Sequence, residues 1–120
     1  MASRVLAVTV DCRDAEGCAA FWCAVLGERI THRWTDADGV EYVEVGAGEG
    51  PVLVFQPVPE AKSVKNRLHL DLAPASGSQA DEVARLVGLG ATVVADPPEH
   101  PWVVLADPEG NEFCVLPRKE

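Results

Sequence analysis

Arg67, His69 and Asp71 alternate with Leu68, Leu70 and Leu72 just past the midpoint of the chain. A period of two puts the three polar side chains on one face of a strand and the leucines on the other. An imidazole flanked by a guanidinium and a carboxylate is equipped for acid–base work or for gripping a polar ligand. The plainer alternatives are a structural histidine and an Arg67–Asp71 pair that fixes the strand. Trp34 and Trp102 lie toward strand ends, where an indole walls a pocket or packs a core. Gln56 closes an apolar strand, Val52 to Gln56, and offers an amide to a ligand or to solvent.

These residues need a scaffold, and the sequence punctuates one clearly. Val5 to Val10 predicts a first strand. Asp14 reads as a helix N-cap and Gly27 as its C-terminal stop. Between them Cys18, Phe21, Trp22, Val25 and Leu26 recur at helical spacing as one buried stripe. Strands follow at Arg29 to Trp34, Val40 to Val45 and Val52 to Gln56. Turns at 36–39 and 46–50 separate them. The stretch Pro57 to Lys65 reads as a linker.

After the linker the plan restarts. Leu68 to Leu72 predicts a strand, and Ser78 caps a helix carrying Ala80, Val83, Ala84 and Val87. Ala91 to Val94 predicts the next strand, before the Pro97-Pro98 break. Trp102 to Ala106 and Glu112 to Leu116 form a hairpin around 107–111. Leu26-Gly27 and Leu89-Gly90 close the two helices at corresponding places, and Gly50 and Gly110 each open a last strand. Phe55 and Phe113 fall on the core side, Phe113 opposite Cys114. The expectation is an α+β fold: two βαβββ repeats, about 4–57 and 66–117, forming a curved mixed sheet around a cavity in a single domain, 1–120.

Composition narrows the partners. Nineteen acidic against ten basic residues give a net charge of −9 over 120 residues. Nucleic acid, whose binding depends on neutralising phosphates, is excluded as an expected partner. A neutral or cationic small molecule fits the charge better. No apolar run reaches the roughly 20 residues of a membrane helix, and no signal-peptide pattern opens the chain, so a cytoplasmic location is expected. The four cysteines, Cys12, Cys18, Cys23 and Cys114, form neither a disulfide framework nor a zinc-knuckle spacing.

Asp14 with Phe21-Trp22 and Leu26-Gly27, the run Asn66 to Leu72, and the run Trp102 to Cys114 around Asp107-Pro108-Glu109-Gly110-Asn111 together resemble the vicinal oxygen chelate superfamily. This is the glyoxalase and bleomycin-resistance fold, and the likeness is to its small bacterial glyoxalase-like branch. The resemblance implies a concave ligand site and, from single-domain members, a homodimer. It also implies a cavity metal held by one side chain from the first and last strand of each half. Carried over by position, those four places hold Ala7, Gln56, His69 and Cys114. Ala7 has no donor atom, and Cys114 stands where a glutamate is usual. The hard-oxygen set for magnesium, manganese or nickel is broken, although His69, Cys114 and Gln56 could still make a zinc-type site. No cofactor is therefore expected, with a divalent metal such as zinc as the alternative.

Two functional classes follow. One is a metal-free binding module of the sequestration or resistance type, its ligand held among Gln56, Arg67, His69, Trp34, Trp102 and Cys114. The other is an enzyme (a lyase, isomerase or dioxygenase-like member) using His69 with a reduced metal site or as acid and base. Cys114 as a nucleophile activated by His69 is a further option within the second class.

Overall fold

The computed structural model describes residues 1–46 and 48–119; Ala47, placed in the turn 46–50 by sequence, lies outside them. The chain divides into two compact units, Met1–Ala61 and Lys62–Glu120. In the first, β1 (Ala7–Cys12), α1 (Ala15–Leu26), β2 (Ile30–Thr35), β3 (Glu41–Val45) and β4 (Val52–Pro57) follow in order. The second repeats the plan with β5 (Asp71–Leu72), α2 (Gln79–Leu89), β6 (Thr92–Ala95), β7 (Val103–Ala106) and β8 (Glu112–Val115). Each unit holds one four-stranded mixed sheet, ordered β1-β4-β3-β2 and β5-β8-β7-β6. The first and last strand of each unit pair in parallel and the rest antiparallel. The βαβββ plan expected from the sequence is the plan of both units.

The first helix forms where the sequence places it. Asp14 accepts the backbone N–H of Gly17 at 3.0 Å, and Gly27 ends the helix at φ 65°. Cys18, Phe21, Trp22 and Val25 are buried, with Leu26 at the margin. Phe55 and Phe113 are both in the core. β1 lies two residues later than the spacing predicts, because its parallel partner β4 begins at Val52 opposite Ala7 and continues to Pro57 opposite Cys12. β7 likewise starts one residue after Trp102.

One expectation fails. The strand Leu68 to Leu72 shrinks to Asp71–Leu72, and Leu68 is 82% exposed rather than on a buried face. The cause lies in the partner strand. Asp71 is level with Cys114, so residues upstream of His69 would be level with the turn that precedes Glu112, where no ladder exists. The segment is held instead by a side chain: Glu112 Oε1 accepts the Asn66 N–H at 2.9 Å. The helix α2 forms behind Ser78 and carries Ala80, Val83, Ala84 and Val87 as expected, though none of the four is fully buried. Leu86 is fully buried with Val83 half-buried, whereas Val87 is 45% exposed. Glu82 and Gln79 complete the face that Leu86 anchors. Gln79 earns its place by donating to the carbonyls of Pro101 and Val115 at 2.7 and 2.8 Å.

One turn occurs twice. Asp107 Oδ1 accepts the N–H groups of Glu109 and Asn111, both at 2.9 Å, and Gly110 turns the chain at φ 90°. Asp36 Oδ1 does the same for Asp38 and Val40, at 2.8 and 3.0 Å, with Gly39 at φ 82°. Only a residue without a Cβ adopts those angles cheaply. The first closes β7–β8 and the second β2–β3, which are not equivalent hairpins of the repeat.

Candidate functional site

On the face of the second sheet away from its helix, alternation along β8 lines up Glu112, Cys114 and Leu116. β7 adds Val104 beside Cys114, and β5 adds Asp71. With Lys65, His69 and Trp102 these residues line a cavity of about 330 Å³. Trp102, Val104 and Leu116 form its apolar wall. His100 stacks on Trp102 at 4.4 Å between ring centroids and 6° between planes, which leaves the second indole face for a ligand.

The polar floor is compact. His69 Nε2 lies 3.3 Å from Asp71 Oδ1, with both side chains about half exposed. Donor atoms of His69, Asp71 and Cys114 all lie within 4.8 Å of one another. Asp71 thus faces His69, and Arg67, its alternative partner on that face and a candidate ligand contact, is exposed and outside the cavity lining. Burial pushes the Cys114 thiol above its ordinary value, the Asp71 carboxylate adds to this, and Lys65 works against both. A thiol held protonated is a poor nucleophile, which weakens the Cys114–His69 attack option. Glu112 is engaged elsewhere. Its carboxyl is held below the ordinary range first by the Asn66 N–H, against the cost of burial, and then by Lys62 Nζ at 3.0 Å.

The remaining sequence candidates sit in the first unit. Gln56 is half-buried on β4, level with Asp11, and its carbonyl accepts the Cys12 thiol at 3.7 Å. Trp34 lines a separate cavity of about 380 Å³, where it stacks on Tyr42 at 5.1 Å and on His32 at 5.3 Å. Its ring is already committed to a row of three. Register also places Thr9 rather than Ala7 two residues before the strand position level with the last strand, as His69 is in the second unit. Sequence reasoning missed Lys65 and Glu112 as cavity residues. The signal for Glu112 was present, since it shares the alternation of Cys114 and Leu116.

A protein-family model described as a glyoxalase-like domain matches residues 7–116. No curated protein sequence matches the chain significantly. Among solved structures, one similar fold is a mutant of the fosfomycin resistance protein FosX from Listeria monocytogenes, complexed with Mn(II) and 1S,2S-dihydroxypropylphosphonic acid. Its TM-score is 0.78 at 13% identity, covering 97% of this chain and 93% of that one. The trypanothione-dependent glyoxalase I of Leishmania major gives 0.72 at 16% identity, covering 96% and 86%. A glyoxalase/bleomycin resistance protein/dioxygenase family enzyme from Burkholderia phytofirmans gives 0.70 at 19% identity, covering 94% and 97%. At these identities the likeness is one of fold. With the family match spanning both βαβββ units, the chain belongs to the glyoxalase-like domain family of the vicinal oxygen chelate fold.

Proposed function

We propose that this glyoxalase-like protein binds a small, largely planar organic molecule in the second unit's cavity, in the manner of a sequestration or resistance protein. The observation that carries the reading is the cavity's construction. An indole with one free face stands over a floor of imidazole, carboxylate and thiol, in a volume at the lower end of the range for ligand pockets. A net charge of −9 favours a cationic or neutral ligand over an anionic one. The ligand is held without a hard divalent ion of the kind present in the FosX complex, because Glu112 is spent on Asn66 and Lys62. The two units act as one domain, 1–120, in the cytoplasm, and two copies pair. Analytical ultracentrifugation reads the pairing directly.

The test is a tryptophan-fluorescence titration of chelator-treated protein with proflavine, a planar aromatic cation. Quenching should saturate and vanish in Trp102→Leu but persist in Trp34→Leu. No saturable quenching, or loss only in Trp34→Leu, overturns the reading.

The His69–Asp71 contact favours a second reading, an enzyme. A carboxylate 3.3 Å from an imidazole orients the ring, as a positioned general base requires. A borderline-soft ion fits His69, Asp71 and Cys114, and when bound it would polarise a ligand oxygen as a Lewis acid. The two readings separate on His69→Ala. Lost turnover with retained binding supports the enzyme, while lost affinity with no turnover in the parent supports sequestration.

A further inference from the structure

The family pattern spreads its metal donors over both halves of the fold, whereas the three donors here belong to the second unit alone. We infer that His69, Asp71 and Cys114 form a thiophilic metal tripod, selective for zinc-like ions over manganese.

The geometry suits a tripod. Two ligands on one tetrahedral zinc, each about 2.0–2.3 Å from the ion, lie about 3.3–3.7 Å apart. His69 Nε2 and Asp71 Oδ1 are 3.3 Å apart, which is long for a charge-assisted hydrogen bond of about 2.7–2.9 Å but fits that edge. The full set, within 4.8 Å, closes onto an ion with side-chain adjustments of about an ångström. The backbone brings it together. Asp71 is level with Cys114 across the parallel ladder, and His69 stands two residues before Asp71 on the same face.

Donor chemistry sets the selectivity. A thiolate is soft and ranks zinc, cadmium and cobalt above manganese, and one free carboxylate is too few for a hard ion that wants several oxygens. Glu112 is tethered to Lys62 and Asn66 and does not make up the deficit. All three donors line the cavity, so an ion held by them would be reachable by a ligand atom, as at a reactive rather than a purely structural zinc site.

This inference rests on the second-unit cavity being the ligand site, and it is tested on the full chain with Co(II) and Zn(II) alone. One equivalent of Co(II) should give tetrahedral d–d bands and a thiolate-to-cobalt charge-transfer band, displaced by Zn(II) and not by Mn(II). Cys114→Ser and His69→Ala should abolish the charge-transfer band. Because loss of an outer-shell partner alone costs about 10–100-fold in metal affinity, D71N should weaken binding by at least about tenfold. Asp71 is exposed, so that variant keeps its fold. Gln56→Ala should leave the spectrum unchanged. A band that survives C114S, an unchanged affinity in D71N, a loss in Q56A, or equal competition by Mn(II) overturns the tripod. Proflavine binding to chelator-treated protein is read separately. If it persists without metal binding, only the tripod fails; if metal binds and proflavine does not, only the organic-ligand reading fails.

Discussion

Asp107 is the one buried charged residue among those described, at 4% exposure, and its carboxylate is occupied by two backbone N–H groups. Removing it takes this acceptor from two half-buried backbone donors. Asp107→Ala should therefore cost about 2–3 kcal/mol in urea denaturation. Asp36 makes the same two bonds in a wetter setting, with Tyr42 as a third donor at 2.9 Å, and Asp36→Ala should cost about 1 kcal/mol. Glu112 carries a pH dependence. Its carboxyl titrates below the ordinary carboxylate value in the folded chain, chiefly through Asn66. The tether is thus complete above the ordinary carboxylate range and is lost as pH falls through the depressed value. The Asn66 amide, followed by NMR, should show that acid step, and Glu112→Gln should remove it. These are residues whose partners the sequence did not reveal. His69 and Cys114 could be placed in a cavity from alternation and family position, but alternation left Asp71 open to either Arg67 or His69, because it cannot say which of two neighbours on a face will meet.

The two helices show what amphipathic spacing can and cannot fix. In α1 the bulky apolar residues repeat at i, i+3, i+4, i+7 and i+8, so their face is the one buried. In α2 small and β-branched residues lie on several sides, and Leu86, at 0% exposure, decides the orientation. Leu86→Ala should cost about 2–5 kcal/mol, whereas Val87→Ala should stay within about 0.5 kcal/mol. Thermal or urea melts of the pair give the contrast directly. Two helical glycines extend the comparison. A Cβ at Gly88 meets nothing within 4 Å, so Gly88→Ala should stabilise by about 0.5–1 kcal/mol. At Gly17 the same Cβ would sit 2.5 Å from Asp14 Oδ2, the carboxylate that caps the helix. Gly17→Ala should yield no gain, because its helix propensity is offset by the displaced cap. The truncated β5 belongs to this scale too. Its sequence alternates well, but a parallel strand ends where its partner's turn begins, and that register is set by residues more than forty positions away.

Across the whole molecule the two units follow one plan with unequal investment. Of the 19 buried hydrophobic residues among those described, 12 fall between Cys12 and Phe55 and 7 between Leu86 and Val115. All four residues of β6, an edge strand, are exposed, Val93 and Val94 among them. Local stability follows buried apolar contact, so amides of β6 and α2 should exchange with deuterium earlier than those of α1 and β4. Equal protection in both units would show that they open only together. The richer core accompanies the half without the polar floor, and the thinner core accompanies the half that carries it. A site that must admit a ligand gains from a mobile surround, and the one sign of this imbalance in the sequence is the helices, bulky and apolar in α1 but small and mixed in α2.

The aspartate-centred turn has its own consequence. Because 36–40 and 107–111 share one set of bonds and one glycine conformation yet join different strand pairs, the motif behaves as a portable clasp, indifferent to which hairpin it fastens. Exchanging the two pentapeptides within the chain should leave both hairpins closed. Anyone superimposing the halves by that signature alone would slide one strand out of step.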